Sequence, residues 1–141
     1  MNAVTQPTVP MRRLTLQDLI WLNLVATKRV NGFDFEKLEQ TCFRQYGYGA
    51  VQDVVGQAAR MAESLVRLRP FDAGNEETAA LAFAALLRLN GLVASGGADA
   101  IVGAEGAMRE ALAQSVQIDP EWDPGAEPNL EAVVAQLVAR P

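Results

Sequence analysis

The sequence predicts an all-α domain in which one buried central helix is wrapped by amphipathic helices. Three observations carry that prediction. Half of the 141 residues are apolar and 21% are charged, a balance that encloses one core in about one domain. Helix-period patterns account for most of the chain, and almost no strand is expected. One segment, from Thr78 to Leu89, is apolar on every side apart from Arg88, as a helix surrounded by other helices should be.

The elements follow in order. Residues 1–12 are expected as a flexible arm and 13–141 as a single domain. Thr15 with Asp18 three residues later forms a capping box, opening a helix that runs to Lys28 or Arg29 and ends at Asn31-Gly32 as a left-handed cap. Asp34 caps a second helix with Phe35, Leu38 and Cys42 on one face. Gln45-Tyr46-Gly47-Tyr48-Gly49 interrupts the helical pattern. A third helix spans residues 50–68. Its inner face carries Val51, Val54, Val55, Ala58, Met61, Ala62, Leu65 and Val66, and its outer face Gln52, Asp53, Gln57, Arg60 and Arg67.

The central helix runs from Asn75 to Leu89 and closes at Asn90-Gly91. A further helix is expected over residues 98–117, weakened by Gly103 and Gly106. Residues 118–128 contain Pro120, Pro124 and Pro128 among four acidic residues and read as an acidic loop. A last amphipathic helix begins at Asn129, with Leu130, Val133, Val134 and Leu137 inward. Trp21 is expected in the core, and Trp122 exposed or docked.

Composition narrows the chemistry. There is no histidine, which excludes a Ser-His-Asp or Cys-His arrangement, a histidine general base and a histidine metal ligand within this chain. The single Cys42 excludes an internal disulfide and a Cys-only zinc site; on an apolar helix face it reads as a small buried hydrophobe. Lys plus Arg number 12 against 17 Asp plus Glu, and a net charge of −5 argues against nucleic acid as a partner. Arg12-Arg13 is too short for a nucleic-acid patch. Asp119, Glu121 and Asp123 alternate without the glycine and terminal glutamate of a calcium loop. The first eleven residues lack the apolar core of a secretory signal, and the longest apolar run, Ala79–Leu87, is too short for a bilayer span. The default expectation is a cytoplasmic protein without membrane association.

The loop before the central helix, Arg69-Pro-Phe-Asp-Ala-Gly-Asn-Glu-Glu-Thr-Ala79, holds the most informative residues. A loop that ends at a helix N-terminus presents free N–H groups, and Gly74 and Asn75 suit a nucleotide or anion cradle. The plainer reading is a helix–loop–helix corner: Phe71 plugs the core, Asn75 caps the helix, and Glu76 and Glu77 complement its dipole. On physical grounds alone the corner is favoured.

These residues resemble the Fic/Doc superfamily, whose signature is His-Pro-Phe-x-Asp/Glu-Gly-Asn-Gly/Lys-Arg between two helices. Pro70, Phe71, Gly74, Asn75, Thr78, Ala79 and Asn90-Gly91 match. The opening segment Leu14–Ile20, residues 100–113 and the last helix fit the small Doc-type subclass. The resemblance implies AMP or phosphate transfer from a nucleotide to a protein hydroxyl. The histidine is the base, the acidic residue holds Mg²⁺, the Gly-Asn backbone cradles phosphate and the arginine clamps it. A flap, here near Tyr46, Gly47 and Tyr48, positions the target segment. The same tyrosine–glycine stretch also reads as an ordinary surface turn.

The departures fall on the chemistry. Arg69 replaces the histidine and stays protonated, so it is no general base. Ala73 replaces the acidic metal ligand, with Asp72 beside it. Glu76 and Glu77 stand where Gly/Lys and the clamp arginine belong. One like-charge contact at 4 Å costs on the order of 4 kcal/mol at an effective dielectric of about 20, and losing a general base forfeits ~10²–10⁴ in rate. The expectation is a kept fold with a lost catalyst, needing no cofactor. It would serve as a protein-interaction or toxin–antitoxin-like regulatory module, with an antitoxin-like partner or a second copy. The alternative is a divergent AMP- or phosphotransferase using ATP and Mg²⁺, with Arg69 on phosphate and Asp72 or Glu77 on the metal.

Overall fold

The computed structural model describes residues 11–46, 53–94 and 116–138. Five helices and one small sheet lie within them: α1 (Leu16–Thr27), α2 (Phe35–Phe43), α3 (Val54–Leu68), α4 (Asn75–Leu89), β1 (Leu92–Ala94), β2 (Val116–Ile118) and α5 (Leu130–Val138). The chain is mostly helical, as its periodicity predicts. Helix α4 is the centre: it packs against α1, α3, α5 and β1. Ten of its fifteen residues are buried, among them Ala79, Ala82, Phe83, Ala85, Leu86 and Leu87. Its alanines let neighbouring helices approach closely, and Phe83 and the leucines fill the remaining volume.

Local signals set the helix starts. Thr15 accepts from the Asp18 N–H at 3.0 Å, and the Asp18 carboxylate accepts from the Thr15 N–H at 2.8 Å, a complete capping box. Asp34 caps α2, Asp53 caps α3 and Asn129 caps α5 through side-chain oxygens that accept from Lys37, Gly56 and Ala132 N–H groups.

Several expectations are corrected. Helix α1 ends at Thr27, with Lys28 in the left-handed region (φ 63°), so Asn31-Gly32 is not its cap. Those two residues instead join α1 to the motif loop. Phe35 is 56% exposed rather than inward, leaving Leu38 and Thr41 as the buried residues of α2. Gln57, assigned to the outer face of α3, is buried because its amide donates to the Gln45 carbonyl at 2.7 Å and accepts from the Asp53 N–H at 2.8 Å. Trp21 is half-buried against the core.

The helix expected over 98–117 lies largely outside the described residues, but Val116 and Gln117 belong to β2. That strand pairs antiparallel with β1 in the register Leu92↔Ile118, Val93↔Gln117 and Ala94↔Val116. Ile118 therefore ends a strand, and the acidic loop begins at Asp119. Met11 and Arg12, expected in the arm, are part of the fold: Met11 is buried and Arg12 is held at both backbone groups.

Three side-chain amides hold the non-helical backbone. Gln45 accepts from the Leu14 N–H at 2.8 Å and donates to the Leu14 carbonyl at 2.6 Å. Asn90 does the same for Arg12, at 2.8 and 2.9 Å, and Asn75 for Phe71, at 2.9 and 2.8 Å. Each carboxamide supplies the donor and acceptor that a neighbouring strand would otherwise provide. Gln45 and Leu14 are both fully buried, so removing the amide strands two backbone groups away from water. Gln45→Ala should lower unfolding stability by roughly 2–4 kcal/mol in urea denaturation. A change below about 0.5 kcal/mol would show that water replaces the amide without loss.

Candidate functional site

The corner between α3 and α4 is built by its own side chains. Arg69 closes α3 in the left-handed region (φ 50°), its N–H donating to Leu65 O at 3.2 Å. Residues 70–72 then run beside 32–34. The Asp34 N–H donates to Pro70 O at 2.8 Å and the Asp72 N–H to Gly32 O at 2.9 Å, around a bridge between Phe33 and Phe71. The two phenyl rings meet edge to face with centroids 6.1 Å apart, and Phe71 is buried, as expected for a core plug.

Asn75 is not the N-cap of α4. Gly74 is, at φ 78°, while Asn75 lies in the first turn and turns its amide back onto Phe71. A left-handed N-cap suits glycine because every other residue brings a Cβ into that turn. Here the space a Cβ would need is already filled: it would sit 2.1 Å from Thr27 Cγ2 of α1. The glycine lets the start of α4 and the end of α1 come together.

A buried polar cluster on α1 completes the corner. The Asn23 amide donates to Ala73 O and to Thr78 Oγ1, both at 3.0 Å. Its oxygen accepts from Asn31 Nδ2 at 3.0 Å, and Asn31 also donates to Thr27 Oγ1 at 2.9 Å. Asn23 and Thr78 are buried, so this network is satisfied within the protein. Sequence reasoning did not select Asn23 or Thr27, and it placed Asn31 in a helix cap. Their signal is the pair of polar residues, Asn23 and Thr27, one turn apart in a stretch, residues 19–27, that is otherwise apolar.

The charged motif residues lie outside. Arg69 and Glu76 form an ion pair at 3.5 Å with side chains 58% and 43% exposed, worth about 0–1 kcal/mol at such a surface. Glu77 and Asp72 are exposed, and Ala73 is half-buried with its carbonyl taken by Asn23. Tyr46 belongs to a different cluster: its ring lies 6.0 Å from that of Phe43 and 4.4 Å from the Arg13 guanidinium carbon. Gly47 and Tyr48, the rest of the expected flap, lie outside the described residues.

Cys42 is half-buried beside Gln45 and Leu14 O. Burial pushes its thiol upward, the Gln45 hydrogen bond opposes that, and Asp18 and Glu39 add to the rise. Less thiolate at neutral pH means a weaker nucleophile.

Compared with protein-family models, curated proteins and solved structures, the chain gives no match. Among the described residues, no helix is long and apolar enough to cross a membrane.

Two outcomes test this geometry. Gly74→Ala should destabilise by roughly 2 kcal/mol or more, combining positive-φ strain with the Thr27 clash. Adding Thr27→Ser, which removes Cγ2 and keeps the hydroxyl, should restore about half, a coupling read from a double-mutant cycle in urea. Cys42 in the folded protein should react with a disulfide reagent at pH 7.5 more slowly than in the urea-unfolded chain. Equal rates would mean that the thiol is neither shielded nor raised.

Proposed function

We propose that this chain is a non-catalytic protein-interaction or regulatory module built on a Fic/Doc-like helical scaffold. The observation that carries the reading is the filled corner. Thr27 Cγ2 fills the space beside Gly74 that a Cβ would take, and the Phe71 and Asp72 N–H groups donate to Asn75 and Gly32 rather than standing free for an anion. The residues present do not fit a magnesium nucleotide. A methyl group, Ala73, stands at the metal position, and two carboxylates, Glu76 and Glu77, stand in the first turn of α4. Their charge favours the helix dipole and opposes a polyphosphate at the same N-terminus.

Exposed apolar residues also support a protein partner. Eight large apolar residues are exposed among the described residues, and five of them, Val30, Phe33, Phe35, Phe43 and Tyr46, fall between residues 30 and 46. Aromatic side chains at a surface are the residues that anchor protein interfaces. In this reading the partner that covers them is an antitoxin-like protein or a second copy of the chain.

Calorimetric titration with ATP or GTP in the presence of Mg²⁺ should give no saturable heat. Binding tighter than about 100 µM that is lost in Arg69→Ala would overturn the reading and restore a nucleotide-dependent enzyme.

A further inference from the structure

The acidic loop after β2 is pinned to the body of the protein at several points. The Asp119 N–H donates to Gly91 O at 2.8 Å. Trp122 covers Gly91 so closely that a Cβ there would meet the indole at 2.5 Å, and Gly91 holds φ 81°. Arg12 completes the attachment, donating through Nη2 to Pro124 O and Ala126 O, both at 2.9 Å, and through Nη1 to Leu89 O at 3.4 Å. The pinned loop, the end of α4 and α5 together enclose an open groove of about 380 Å³. That volume lies in the lower part of the roughly 300–1,000 Å³ range of ligand clefts.

Trp122, Val133, Asp119, Glu121, Asp123 and Glu127 contribute to its lining. Arg12 and Arg88 line it as well and keep their charge there: Arg12 donates to the three carbonyls with its guanidinium carbon 5.7 Å from the Trp122 ring centroid, and Arg88 donates to the Gln136 side-chain oxygen. None of the four carboxylates lies within ion-pair distance of a cation among the described residues. Four carboxylates against two guanidiniums leave the lining net negative by two, in a concave site beside an indole ring, on a chain of net charge −5.

We propose that this groove docks an extended basic segment, bearing Lys or Arg, of a partner protein. The inference rests on the protein-interaction reading and names the chemistry of the partner. Charge complementarity selects a cationic occupant and speeds its encounter. The apolar stems of Lys and Arg match Trp122 and Val133 while their charged ends reach the carboxylates. A loop already held by Arg12 and Gly91 loses little freedom when the segment binds.

The test uses the full chain with Trp21→Phe, so that emission reports Trp122 alone, titrated with a capped peptide alternating Lys and Ala. A saturable change in Trp122 emission is expected, weakening as salt is raised. The variant E121Q/D123N/E127Q should bind about ten-fold more weakly, the loss that three exposed charge contacts carry. The Asn side chain can still accept the bond that Asp123 takes from the Gly125 N–H, so the loop keeps its turn. Should Trp21→Phe fail to fold, 5-fluorotryptophan in the unaltered chain gives the same readout by ¹⁹F resonance. No saturable change, equal binding of a Glu–Ala peptide, unchanged affinity in the triple variant, or spermidine binding as tightly as the peptide would each overturn the assignment. A failed peptide titration beside a silent nucleotide titration removes the groove assignment alone. Nucleotide binding removes the broader reading.

Discussion

The need to satisfy buried backbone away from helices governs this small domain. Segments 11–14 and 69–74 lie against the core without a regular ladder, and their amides and carbonyls need partners. Gln45, Asn75 and Asn90 provide them, each binding both groups of one residue with a single carboxamide. Gln57 extends the arrangement by taking the Gln45 carbonyl, so α3 is tied to the end of α2 and through it to Leu14. Apolar packing around α4 supplies most of the driving force, while these amides choose which backbone lies against which helix.

The motif corner shows how one set of residue types serves two purposes. Gly, Asn and Thr near a helix start suit a phosphate cradle, and they equally suit a close crossing of two helices. The decision lies in what faces the glycine. In this chain it is the Thr27 methyl, with Asn23 joining Ala73 and Thr78 across the same gap. The corner is consequently cemented to α1, and its charged members, Arg69, Glu76 and Glu77, form a rim of small energetic weight.

The sequence makes the local features legible. The Thr15–Asp18 box, the Asp34 cap and the full extent of α4 can be read from residue types alone, because caps and all-round apolarity are properties of neighbours in the chain. What escapes depends on distant partners. Gln57 looks like an outer-face residue until Gln45 is known to lie beside it, 12 residues away in sequence. Asn75 looks like a cap until its amide is seen to bind Phe71, and the short pairing of Val116–Ile118 with Leu92–Ala94 has too few residues for a periodic signal. The residue types and charges of this corner are legible in the sequence. The filling of its glycine face by Thr27 is not, because that contact spans two elements.

The clamp on Arg12 bears on how the chain matures during synthesis. Its backbone partner, Asn90, lies 78 residues later, and the carbonyls its guanidinium reaches lie 77, 112 and 114 residues later. A ribosome delivers residues N-terminal first, so Arg12 emerges long before any of these acceptors exists. The early segment must wait while α1 to α4 assemble, and its attachment to the acidic loop closes the longest loop among these bonds at a late stage of folding. The residues that begin the described fold are thus among the last to be secured.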